Sequence, residues 1–136
     1  MAEQRELQRM VLELRMLQER AAQLERQAET FRALLEESRN ASKALEAIAS
    51  SAAPAVLFPL GAGVMVKATP TDSRKVFFEA GSGVVLEKPA AEVAGLLAER
   101  AEKLLQAVET TQREFQQVSA RIEELREALL EAQRGK

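Results

Sequence analysis

The chain has 136 residues, 46% of them hydrophobic and 29% charged, a balance that suits a globular or coiled-coil protein and excludes a disordered one. Its 19 basic and 21 acidic residues are interleaved to a net charge of −2, so it carries no electrostatic footprint for nucleic acid or anionic lipid. With five Phe and no Trp, Tyr, Cys or His, it lacks aromatic anchors for a large core, a disulfide framework, and the usual residues of metal sites and nucleophilic catalysis.

Counting sevens from Leu7 collects Leu7, Met10, Leu14, Leu17, Ala21, Leu24, Ala28, Phe31, Leu35, Ser38, Ser42, Leu45 and Ala49. An a/d seam of this kind specifies a long helix paired with another along one stripe. The helix is expected to end in Ser50-Ser51-Ala52-Ala53, because Pro54 excludes its predecessor from helical geometry. Charged residues at the N-terminus, in place of an apolar secretory core, point to a cytoplasmic chain. The longest uncharged run, Ala47 to Lys67, is broken by Pro54, Pro59, Gly61 and Gly63, so no membrane span is expected.

From residue 64 the pattern changes to alternation. Val64, Val66 and Ala68 oppose Met65 and Lys67; Val76, Phe78 and Ala80 oppose Phe77 and Glu79; Val84 and Leu86 oppose Val85 and Glu87. Period two means strands, with Thr69-Pro70-Thr71-Asp72-Ser73 as a turn and Val56 to Phe58 as a further short strand. Roughly 35 residues of hairpin cannot close a core alone, so their edges are expected to pair with equivalent segments of other chains and close a barrel. The interface residues would be Val56, Phe58, Val64, Val66, Val76, Phe78, Val84 and Leu86. Gly61-Ala62-Gly63 and Gly81-Ser82-Gly83 match no nucleotide fingerprint, because a strand follows each, and are assigned to turns or bulges.

The second half restores the heptad: Ala94, Leu97, Ala101, Leu104, Val108, Thr111, Phe115, Val118, Ile122, Leu125, Leu129 and Ala132. Pro89 fits the first turn of this helix, and Glu92 lies near the positive end of its dipole. Glu99 with Lys103 and Glu109 with Arg113 are spaced as exposed i,i+4 pairs. Ser38, Ser42 and Thr111 interrupt the seams with hydroxyls that either fix register or bond back to their own backbone. Two helices of about 70 Å each would fold back antiparallel, bringing both chain ends to one tip.

The fold class expected is α+β: a long antiparallel coiled coil with a central β-hairpin segment that assembles into an oligomeric barrel. Residues 1–50 form the first helix, 51–88 the hairpins and 89–136 the second helix, all within one domain. "MVLELRM" at residues 10–16 departs from the heptad, since Val11, Leu12 and Met16 fall at e, f and c. Aligning Ala49 with Ala94 sets Leu12 near another off-seam leucine, Leu130. Apolar side chains left wet at a free tip suit a transient partner, and methionine suits an adaptable one.

With "PLGAGVMVKA" (59–68) and "KVFFEAGSGVVLEK" (75–88) set between two long helices, the chain resembles prefoldin alpha subunits of the archaeal type. Met65 and Val85 depart from that pattern, where aromatics are common, and Ser82 stands for a frequent Thr. The resemblance implies a hexamer of two alpha and four beta subunits, with hairpins in a double barrel. It implies a chaperone that holds non-native proteins without ATP or other cofactor and passes them to a group II chaperonin. Carried onto this chain, the client contacts are Leu7, Met10, Val11, Leu12, Leu14, Met16, Leu125, Leu129 and Leu130. Neither nucleic acid nor membrane is an expected partner, and no enzyme activity is expected. The alternative is a prefoldin-like structural or filament-forming scaffold, for which exposed Leu12 and Leu130 would have no use.

Overall fold

The computed structural model describes residues 2–50, 55–72 and 74–135. In chain order it consists of helix α1 (Ala2–Ser50), strands β1 (Val56–Gly61), β2 (Val64–Ala68), β3 (Lys75–Gly81) and β4 (Val84–Pro89), and helix α2 (Ala90–Arg134). The chain divides into two compact units, one of Met1–Leu34 with Leu104–Lys136 and one of Leu35–Lys103. Residues 51–53 of the expected helix end, and Ser73 of the expected turn, lie outside the described residues.

In the first unit the heptad positions form the core. Leu24 is 1% exposed, and Ala28, Val108, Thr111, Ile122 and Leu125 are also buried, with the remaining seam residues half-buried. Burying a leucine removes enough apolar surface from water to be worth about 1.5–3 kcal/mol, so the two stripes hold this pair of helices together. The charges that cross between them are exposed or partly so. Arg121 Nε donates to Glu13 Oε1 at 3.1 Å, and Arg20 Nη2 donates to Glu114 Oε1. Exposed pairs of this kind add about 0–1 kcal/mol each and act more on alignment than on stability. Among the described residues, the ion pairs along α2 and its entry are Arg121–Glu124, Arg126–Glu123 and Lys88–Glu92, and the expected pairs Glu99–Lys103 and Glu109–Arg113 are not among them.

Thr111 resolves one alternative left open by the sequence. Its hydroxyl donates to the Ala107 carbonyl at 2.7 Å, four residues back on its own helix, so the polar atom is satisfied without a cross-helix partner. Back-bonding of this kind slightly destabilises a helix. Thr111→Val is therefore expected to raise the thermal unfolding midpoint, with a gain of about 0.5–1 kcal/mol, and to leave the mass of any assembly unchanged. A lower midpoint or an altered mass would restore the hydroxyl as a register device.

The second unit shows where a strict count of sevens fails. Ala49 and Ala94, both expected in the seam, are exposed; Ile48 is half-buried and Ala90 and Val93 are buried instead. The larger Ile48 and Val93 turn inward beside alanines that have little apolar surface to bury.

The strands form two separate antiparallel sheets, β1–β2 and β3–β4. Val56 pairs with Ala68, Phe58 with Val66 and Pro59 with Met65 in the first; Val76 pairs with Lys88, Phe78 with Leu86 and Glu79 with Val85 in the second. β1 is longer than expected and runs through Pro59 to Gly61. Proline is tolerated in a strand of a two-stranded sheet because every second N–H points away from the partner, and there its loss breaks no ladder bond. Pro89 likewise closes β4, opposite Lys75, and α2 begins one residue later than its sequence signal. Ala90 N–H, the first helical donor, is bonded to Arg74 O at 2.6 Å, which fixes the start of α2 to the foot of β3.

Both hairpins turn in the same way. Ala62 and Gly63 have φ of 49° and 80°, Ser82 and Gly83 have 52° and 76°, and Gly61 and Gly81 both have 116°. Two successive residues at positive φ match the strand twist of a tight hairpin, and a register shift precedes each turn, between Pro59 and Gly61 and between Glu79 and Gly81. Each feature recurs twenty positions later: Phe58 and Phe78, Gly61 and Gly81, Gly63 and Gly83, Val64 and Val84. The β region is thus an internal repeat that keeps turn, bulge and one apolar face.

Candidate functional site

Among the described residues, exposed apolar side chains concentrate on two surfaces. The first belongs to the first unit, where the N-terminal turns of α1 run beside the C-terminal turns of α2. Leu7 and Met10 line one groove there with Ala128 and Ala132, and Leu7, Val11 and Leu12 line a second with Gln8 and Arg15. Val11, Leu12, Met16 and Leu130 are exposed, Met16 at 61% and Leu12 at 57%. Helical spacing explains the grouping, because Leu7 and Val11, and Leu12 and Met16, are each four residues apart and so share a face.

The other expected contacts divide differently. Leu7, Met10, Leu14 and Leu129 are half-buried seam residues that show one edge to solvent. Leu125 is only 2% exposed and belongs to the core. Met10 shares a groove with Ala128, and Glu13 is bonded to Arg121. Leu12 therefore lies at a level between residues 121 and 128, and Leu130 lies further toward the C-terminal end of α2, not directly beside it.

An exposed ion pair joins the two helices at this level. Arg121 also donates from Nη1 to Glu124 Oε2 at 3.0 Å, and its hydrogen bonds to Glu13 first and Glu124 second raise its pKa above the ordinary arginine value. The guanidinium stays charged under all working conditions and links α1 to α2 at the level of Glu13. Leu34 and Leu105 are also exposed in this unit; both stand off the heptad, outside the tip motif that the sequence singles out.

The second surface is the pair of hairpins. Of the expected interface, Phe58, Val64, Val66, Val84 and Leu86 are exposed, while Val56, Val76 and Phe78 are half-buried. Phe78 is covered from within its own chain: the Arg100 guanidinium carbon of α2 stands 5.3 Å from its ring centroid, a cation–π contact worth about 0.5–1 kcal/mol. That contact turns one face of β3–β4 to α2 and leaves the other open. Among the described residues Phe77 is the most exposed large apolar one at 74%, and Leu57, Leu60, Met65 and Val85 are also exposed. Choosing one face of each strand misses these five. The signal is present in the alternation itself, because Phe77 and Val85 are apolar on the face that also carries Glu79 and Glu87.

Among the described residues, no helix is long and apolar enough to cross a membrane, and no three His, Cys, Asp or Glu side chains gather as metal ligands. What the molecule offers is apolar contact area and unpaired strand edges, which suit binding and assembly.

A family model described as "Prefoldin subunit" matches residues 6–135. The chain is 32% identical over 130 residues to prefoldin subunit alpha of Thermofilum pendens, covering 95% of this chain and 99% of the relative. It is 28% identical to prefoldin subunit alpha of Archaeoglobus fulgidus, with 95% of each covered. A filamentous prefoldin from Methanocaldococcus jannaschii, solved by cryo-EM, has the same fold at 20% identity, with a TM-score of 0.58 over 89% of this chain and 96% of that one. With nearly every residue inside the family model, and with two helices flanking two glycine-turned hairpins as the resemblance implied, the chain belongs to the prefoldin subunit family.

Proposed function

We propose that this prefoldin chaperone subunit is an alpha-type holdase, which captures non-native proteins on the apolar end of its first unit without nucleotide and passes them to a group II chaperonin. The observation that carries this reading is the exposure of Val11, Leu12, Met16 and Leu130, four apolar side chains that the seam does not require. Their hydration is costly unless a partner relieves it from time to time. The hairpins gather several such chains, in the simplest case two of this type with four beta subunits, and weak contacts from several arms add as avidity. Client exchange then depends on many small apolar contacts, any of which can release. The setting is the cytoplasm, and the work is binding, not catalysis.

A second reading is favoured by the two separate sheets, which leave open strand edges on both hairpins and would let one chain link two neighbours into a filament. The readings part in one experiment. A chemically unfolded protein is diluted into nucleotide-free buffer with the assembled chain, and light scattering is followed beside the mass of the assembly. Suppressed scattering by a closed complex of defined mass is expected. Open-ended polymers that leave scattering unchanged would favour the scaffold.

A further inference from the structure

The sequence contains no Cys, Trp, Tyr or His, so methionine is its most readily oxidised side chain. Three of its four methionines, Met1, Met10 and Met16, fall within the first sixteen residues, and the fourth is Met65. Their described environments differ. Met16 is 61% exposed on the face it shares with Leu12, Met10 is half-buried in the groove with Leu7 and Ala128, and Met65 is exposed on β2.

We propose that Met16 is a reversible oxidation site through which peroxide-class oxidants weaken the apolar surface of the first unit. The proposal rests on the reading of that surface as a client site. The thioether sulfur attacks the peroxide, a sulfur–oxygen bond forms as the oxygen–oxygen bond breaks, the sulfur loses two electrons, and the leaving hydroxide or alkoxide takes the proton of the transferred oxygen to depart as water or alcohol. The product is a sulfoxide, a polar and strongly accepting group in place of a flexible apolar one.

On the wet side of α1 this change leaves the fold intact, because Met16 fills no seam position. It acts on what docks there: a client segment must strip water from the sulfoxide to reach Leu12 and Val11. Exposure also leaves the product open to reduction by a sulfoxide reductase, which returns the thioether. Met10 would respond in the opposite sense, reacting slowly and disturbing the coil once it reacts. Met65 serves as an internal reporter, since a hairpin covered by assembly shields it.

The test treats the purified assembly with hydrogen peroxide for graded times, quenches it, and maps oxygen addition by peptide mass before client is added. Met16 is expected to react several-fold faster than Met10. Capture by the oxidised protein, measured against its own untreated sample, is expected to fall several-fold and to recover after methionine sulfoxide reductase. Met16→Leu, also measured against its own untreated sample, is expected to lose little on oxidation. Equal rates at Met16 and Met10 would overturn the assignment of the reactive site. Full capture after Met16 is oxidised, under conditions where the serine variant at Val11, Leu12, Met16 and Leu130 fails, would overturn its effect. If that serine variant captures as well as wild type, the client reading falls and takes the effect on capture with it, while the relative rates still decide the site.

Discussion

Replacing Val11, Leu12, Met16 and Leu130 together by serine is expected to abolish suppression of aggregation while leaving helix content and assembled mass unchanged. Full burial of such a side chain is worth about 1.5–3 kcal/mol. Each of these already has part of its surface covered, so about 1 kcal/mol per residue remains to be gained from a client. Four such losses weaken one arm by about 4 kcal/mol, close to a thousandfold at about 1.4 kcal/mol per tenfold, and the loss multiplies where several arms hold one client. The fold should survive, because serine costs only about 0.5 kcal/mol of helix propensity per site and Leu24, Ile122 and Leu125 are untouched. Far-UV circular dichroism and native mass establish that the variant is intact, and light scattering then measures how much client it still holds. An intact variant that suppresses scattering as well as wild type would move client capture to another surface.

Phe58→Asp is expected to dissociate the assembly into chains that keep their helices. Phe58 lies opposite Val66 in β1–β2 and is exposed in the lone chain, so aspartate there costs the isolated hairpin little. Covering the carboxylate with a neighbouring hairpin costs several kcal/mol unless a cation meets it. That is enough to weaken association by a hundredfold or more. Sedimentation velocity at fixed concentration reads the outcome directly. Wild-type mass for Phe58→Asp would show that this face of β1–β2 is not part of the contact, and would leave Leu57 and Met65 on its other face, and Phe77 of β3, as the residues to change next.

The helices are legible in the sequence because a seven-residue repeat is a global signal, repeated often enough that one misplaced residue does not hide it. It fails at Ala49 and Ala94, where Ile48 and Val93 with more apolar surface to bury turn inward instead. The hairpin turns are legible because few residues other than glycine adopt positive φ without strain. The extent of β1 is not, since Pro59 reads as a strand breaker and is harmless only at an edge-strand position whose N–H would face away from the partner strand. The repeat of the hairpins is masked too: Pro59 and Glu79, or Lys67 and Glu87, hold equivalent positions with unrelated chemistry. At the tip, heptad position separates the exposed Leu12, Met16 and Leu130 from the seam. Heptad position also assigns Leu125 to the core, while the family resemblance draws it into the contact set; its burial places it with the seam.

The twenty-position spacing of the hairpins makes the β region modular at the level of the gene. An in-frame deletion of residues 60–79 would join Pro59 to Ala80 and splice the start of β1 onto the turn of Gly81-Ser82-Gly83. Val56 would then meet Lys88, Phe58 would meet Leu86, and Pro59 would meet Val85, in the same register that each parent hairpin already uses. The product would be a single hairpin between the same two helices, with one sheet in place of two and half the open edges. One sheet and two are thus separated by a single deletion event, so the length of open strand edge a chain presents follows a copy number, independent of its helices.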